Sequence, residues 1–96
     1  MNLEALTRFE NKRTVLTKLE STRTNLHVPT GRTKVGEFSL YPLADNSICV
    51  LVGSTFSGEY LRTSPVVKII DMTETSTVFQ TEGGVYKVED ITSGAV

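Results

Sequence analysis

The chain has one cysteine, one histidine and no tryptophan. A single thiol, Cys49, forms no disulfide within the chain and no cysteine-based zinc site. With His27 the only imidazole, the usual acid–base and nucleophilic constellations cannot be assembled, and no enzyme activity is expected. No His-Glu or clustered-Asp spacing offers a metal site, so neither metal nor cofactor is expected. No run reaches the roughly 18 apolar residues of a membrane helix, so no membrane partner is expected. Met1 runs into Asn2, Leu3 and Glu4 without the basic stretch and apolar core of a signal peptide, which predicts a cytoplasmic protein. An excess of basic charge is missing too. The net charge is −1 and the isoelectric point 5.8, against the values above about 9 usual for nucleic-acid-binding domains. Nucleic acid is therefore a disfavoured partner.

What is present is a chain of 96 residues, 39% hydrophobic and 22% charged. That is globular composition and length for one domain, residues 1–96. A domain this small leaves roughly a third of its unfolded surface exposed, so self-association is an expected aid to stability. Threonine is abundant, 14 residues against 8 serines, and its β-branched side chain suits a pleated surface. Charge is divided along the chain. Residues 1–34 carry a net +4 and residues 35–96 a net −5, so the basic third can lean on the acidic remainder or face an anionic partner.

Asn2 to Ser21 reads as a helix, with Asn2 as N-cap, Glu4 in the first turn, and Ala5, Phe9, Leu16 and Leu19 on one face. Thr14, Val15 and Thr17 are its weak point and leave open a short helix followed by a strand. On a continuous helix Arg8, Lys12 and Arg23 form a basic face. The chain from Ser21 to Gly36 is a polar turn region in which Leu26 and Val28 alternate as a short edge strand. Gly31–Gly36 is no phosphate loop, because Glu37 and Phe38 stand where Lys and Ser/Thr are needed.

From Val35 onward the pattern is strand and turn. An Asp45-Asn46 turn would pair Tyr41 with Val50 and Leu40 with Leu51, leaving both faces of the hairpin apolar and in need of cover. The cover would be the helix and the rest of the sheet, or a second chain. Cys49 sits in the apolar run Ile48–Val52 and is expected to be buried. Gly83-Gly84 reads as a tight hairpin loop with both residues at positive φ, pairing Thr81 with Tyr86 and Phe79 with Val88. Ile91–Val96 reads as a fraying tail. The expected fold class is α+β: an N-terminal helix (1–24 mainly helix) packed on a small curled antiparallel sheet or SH3-like barrel of about five strands (35–90).

The segment Gly53-Ser54-Thr55-Phe56-Ser57-Gly58, followed by Tyr60, Arg62, Thr63 and Ser64, is the main candidate site. Its small residues free backbone amides, Arg62 can bind a phosphate bidentately, and Phe56 or Tyr60 can stack on a base. Arg8 and Lys12 on the helix are the second candidate. The stretches Tyr60–Ile69 and Val78–Val88, with their Thr-Ser-Pro-Val-Val strand and Val-Phe-Gln-Thr-Glu-Gly-Gly-Val-Tyr-Lys-Val hairpin, resemble small accessory proteins of tailed phages and prophages. The resemblance covers roughly residues 60–88. It implies a phage-encoded, non-catalytic protein that acts in a bacterial cytoplasm by binding a host component, including defence machinery, and it carries over no functional residue. Binding to a host protein is the leading expectation, with homo-dimerisation or higher assembly. Sequestering a small anionic nucleotide at a site between subunits is the alternative, and a nucleic-acid accessory module comes after it.

Overall fold

The computed structural model describes residues 3–21, 30–54 and 56–91. These residues are nearly all antiparallel β. The helix α1 spans only Glu4–Thr7, and the strands are β1 (Arg13–Ser21), β2 (Thr33–Pro42), β3 (Ile48–Ser54), β4 (Glu59–Arg62), β5 (Val66–Met72), β6 (Ser76–Thr81) and β7 (Gly84–Asp90). They form a seven-stranded sheet in the order β4-β3-β2-β1-β7-β6-β5. The expected α+β fold with its long N-terminal helix is therefore replaced by a β fold. The physical reason lies in Thr14, Val15 and Thr17, whose branched Cβ atoms lose χ1 freedom in a helix and pack well in a strand. From Thr14 onward the period is two: Thr14, Leu16 and Lys18 are buried, while Val15 and Thr17 are half-buried. Leu19, expected on the helix's apolar face, is 43% exposed.

The sheet curls on itself. β2 pairs with β1 through Thr33–Glu37 and with β3 through Phe38–Pro42, so it serves both halves. At the opposite corner β4 passes into β5 through Thr63, Ser64 and Pro65, and β3 comes into contact with β5. Strands that change sheet in this way make the corners of orthogonal β packings. Glycine permits the β2 bend. A Cβ on Gly36 would lie 2.8 Å from the Gly53 Cα, and one on Gly53, at φ +126°, would lie 2.6 Å from the Tyr60 Cα. Inside the curl Leu16, Phe38, Val50, Val52, Leu61, Val66, Phe79, Tyr86 and Val88 make one core. Phe79 and Tyr86 stack across β6 and β7 at 5.8 Å.

Residues 3–12 close one end of this core. Leu6 and Phe9 are buried in it, and Phe9 meets Phe38 at 5.7 Å. Asn11 takes a left-handed φ of 65° that turns the chain into β1, and its amide donates to the Phe38 carbonyl. On the far side Thr77 Oγ1 donates to the Ala5 carbonyl at 2.7 Å.

Both hairpins depart from their expected registers. Between β2 and β3 the Leu43 amide donates to the Ser47 carbonyl, and Asn46 sits at φ 70°. The loop is thus Ala44-Asp45-Asn46, the length that ends on a left-handed residue. One added loop residue reverses every side chain: Leu40 faces Val50 inside, and Tyr41 faces Cys49 outside. Between β6 and β7 neither Gly83 nor Gly84 has positive φ. The turn is held by Thr81, whose Oγ1 accepts the Gly83 and Gly84 amides at 3.1 Å each. Phe79 consequently pairs with Tyr86, not Val88. A two-residue slip preserves the faces, so Phe79, Tyr86 and Val88 still point into the core. The expected edge strand at Leu26 and Val28 lies outside the described residues, as do Arg23, His27 and the tail 92–96.

Candidate partner-binding face

The outer side of β2, β3 and β4 gathers the main candidates. β4 alternates: Leu61 enters the core, while Tyr60 and Arg62 point outward opposite Gly53 and Leu51. On the same outer surface β2 presents Tyr41 opposite Cys49. Two strand spacings of about 4.8 Å separate β4 from β2, a span an arginine side chain covers. The Arg62 guanidinium lies 5.3 Å from the Tyr41 ring centroid. It thereby crosses β3, where Cys49 and Leu51 are buried at 3% and 4% exposure. Burial pushes the Cys49 thiol pKa up, and the nearby Arg62 charge opposes that rise. A buried, protonated thiol is a packing group and not a nucleophile.

Tyr41 and Tyr60 each remain 44% exposed, and Phe56 is fully exposed at the tip of the β3–β4 turn. The turn is a serine framework. The Ser57 amide donates to Ser54 Oγ at 3.4 Å, the Glu59 amide donates to Ser57 Oγ at 3.3 Å, and Gly58 supplies φ 78°. An open groove of 560 Å³ runs beside Phe56, with Arg13 and Lys34 set among Glu37 and Glu59.

The remaining candidates are elsewhere. Ser64 is half-buried in the β4–β5 corner, where its carbonyl accepts Thr63 Oγ1 at 2.7 Å. Thr63 Oγ1 also receives the Val50 amide at 3.1 Å, locking the corner to β3. The basic helix face does not exist. Arg8 Nη2 donates to the Ser76 carbonyl at 2.6 Å and to Thr77 Oγ1 at 2.9 Å, Nη1 donates to the Glu74 carbonyl at 3.1 Å, and the guanidinium stacks on Phe9 at 4.6 Å. Lys12 forms an ion pair with Asp90 at 3.7 Å. Both residues tie the N-terminal segment to the sheet.

Tyr41 was missed by the sequence reading. An Asn before Ser47 that could take the left-handed position, closing a loop of odd length, was the available signal. In the core, burial lowers the Lys18 pKa and raises that of Tyr86, over whose ring the Lys18 ammonium lies at 5.8 Å. Among the described residues no group of three or more His, Cys, Asp or Glu could hold a metal ion, and no helix is long and apolar enough to cross a membrane. No protein-family model, curated protein or solved structure matches the chain.

Proposed function

We propose that the chain is a non-catalytic binding protein, phage-encoded, that inhibits or sequesters a host protein in the bacterial cytoplasm. It docks through Tyr41, Phe56, Tyr60 and Arg62. The observation that carries this reading is Arg62 laid over Tyr41, with Tyr60 and the fully exposed Phe56 on the same side of a sheet. Arginine and large aromatics dominate binding energy at protein interfaces: aromatics bury much area at little cost in side-chain entropy, and arginine adds a planar fork of donors. A rigid β face holds three of the four in place before the partner arrives. Once desolvated, Arg62 requires a carboxylate or carbonyl from the partner, which protein surfaces supply.

The adjoining groove sets Arg13 and Lys34 among Glu37 and Glu59, so its charges balance and offer a small anionic nucleotide no excess of cations. Arg8 is held by the Ser76 carbonyl and Thr77 Oγ1, and half-exposed Lys12 pairs with Asp90, which weakens the case for a basic nucleic-acid patch on this segment. The test is retention of a host partner from lysate by the wild-type chain, compared with Phe56→Ala and Arg62→Glu. Both variants should lose retention by about tenfold or more, the effect of truncating a single interface anchor, while their melting temperatures stay near that of the wild type. Equal retention of the same partner by both variants sinks the assignment of this face.

A further inference from the structure

Residues Thr33–Glu37 of β2 have a strand on one side only. They pair with β1, whereas pairing with β3 begins at Phe38 and ends at Val52. Gly53, at φ +126°, and Ser54 pair with β4 alone. The space left beside Thr33–Glu37 opens into the 560 Å³ groove next to Phe56. The direction of the main chain there is fixed by its neighbours. The Phe38 amide donates to the Lys12 carbonyl and the Phe38 carbonyl accepts the Asn11 amide, both at 3.0 Å, and the Arg32 carbonyl accepts the Lys18 amide at 2.9 Å. Successive residues of an antiparallel strand point their N–H and C=O to opposite sides. Arg32, Lys34, Gly36 and Phe38 therefore turn these groups towards β1, and Thr33 and Val35 turn theirs towards the groove. Among the described residues Val35 has no partner strand on that side, and it is 45% exposed. An open strand edge lining a groove is a template for a further strand.

We infer that the groove receives an extended segment of the host partner as an added antiparallel strand beside Thr33–Val35, with an apolar residue opposite Val35 followed by an aspartate or glutamate opposite Lys34. The inference rests on the docking face proposed above and deepens it, since Phe56 belongs to both. Open main-chain donors and acceptors ask for another main chain, which a peptide supplies and a nucleotide does not. The residue opposite Val35 exchanges both hydrogen bonds with it, and its side chain lies against the exposed valine. The next residue stands opposite Lys34 in a pair without mutual hydrogen bonds, where side chains come closest. Its charge follows from what the groove already balances. Arg13 and Glu37 stand opposite one another in the β1–β2 ladder, whereas Lys34 makes no ion pair among the described residues. Opposite charges directly across two strands attract and like charges destabilise, so Lys34 selects an acid. Glu59 stands on the other wall, on β4, outside this register.

A displayed random-peptide library selected on the immobilised wild-type chain should yield peptides that share an apolar residue followed by Asp or Glu. In the complex with a selected peptide, the Val35 amide of the unaltered chain should exchange about tenfold more slowly or less, because it has gained a hydrogen bond. Lys34→Glu should bind the same peptide about tenfold more weakly, and replacing the peptide's acidic residue with lysine should restore the affinity. Val35→Pro removes an N–H that the β1 ladder does not use, a substitution that open edges accept. It should keep its melting temperature and lose the peptide. Arg62 does not line the groove, so Arg62→Glu should bind the peptide normally while losing the host partner, which separates the two readings. Selected peptides without the apolar–acidic step, a Val35 amide left unprotected, or a Lys34→Glu chain that binds the peptide unchanged would each overturn the added strand and leave the Arg62–Tyr41 face standing.

Discussion

Gly53 shows how much one position can decide. Its φ of +126° is closed to L side chains, and a Cβ there would collide with Tyr60. Gly53→Ala should therefore destabilise the protein by about 2 kcal/mol or more, read as a lower urea midpoint with an unchanged slope. Gly31 also has positive φ, but nothing lies within 4 Å of its would-be Cβ. Alanine there should cost about 1–2 kcal/mol, the backbone penalty alone. Lys18 is a different kind of residue-scale feature. Its side chain is buried in the core end of β1, and loss of solvent lowers its pKa from 10.5. The unfolded chain thus binds this proton more tightly than the folded one. Stability linked to Lys18 must then rise with pH between the lowered folded value and 10.5, and change little below that window. Measured against Lys18→Met, the wild type should gain relative stability as pH rises from neutrality towards 10.0. A difference that is flat or of opposite slope in thermal melts would contradict the lowered pKa. Tyr86 acts in the reverse sense above pH 10.0, because its raised pKa favours the folded protonated phenol. The comparison therefore belongs below that value.

At the scale of elements, Thr81 replaces the glycine chemistry expected at the β6–β7 turn. Its hydroxyl accepts the Gly83 and Gly84 amides of the turn. Thr81→Val keeps the shape and removes the acceptor, leaving buried donors unsatisfied at a cost of about 1–3 kcal/mol. Gly83→Ala is expected to matter less than a positive-φ turn would require, and differential scanning calorimetry of the two variants separates these accounts. The strands from Val35 onward were legible because β-branched runs bounded by Gly, Pro and Asp-Asn are local signals. The inward faces of β6 and β7 were legible as well, since a slip of two residues leaves the pleat unchanged. The β2–β3 register was not, because two- and three-residue loops differ only in whether Asn46 adopts left-handed φ. That single dihedral moved Tyr41 to the outer face beside Arg62. Residues 13–21 were misread because Leu16 and Leu19 three positions apart suggest a helical stripe, whereas in the strand they fall on opposite faces, and β1's place between β2 and β7 fixes the strand. Phe56, Tyr60 and Arg62 could be read from sequence as a group because they are close in the chain. Their union with Tyr41 depended on pairing that sequence does not display.

At the scale of the whole molecule, the first and last strands pair at the middle of the sheet, and the chain before β1 returns to close the core between β2 and the β5–β6 turn. A fold closed by its own N-terminal segment depends on what fastens that segment, and the principal fastener is Arg8. Its guanidinium joins residues 66 to 69 positions away, accepting no bond itself and donating to two carbonyls and one hydroxyl. Hydrogen bonds to a charged donor contribute about 1.5–3 kcal/mol when well made. Here the sum is reduced, because Nε is buried without a partner and Nη1 bonds at the surface. Arg8→Ala should consequently cost about 2 kcal/mol, a fall in melting temperature on the order of 10 °C for a domain of this size. Arg8→Lys should recover only part of it, because one ammonium cannot reproduce the planar fork. Lys12→Ala removes a half-exposed ion pair at 3.7 Å and should shift the melt by no more than about 1 kcal/mol. Arg8 placed in a partner-binding face would give the opposite pattern, with partner retention lost and the melting temperature unchanged. Thermal melts of Arg8→Ala and Lys12→Ala beside the retention assay therefore distinguish a clasp that holds the N-terminal segment over the core from a surface that holds a partner.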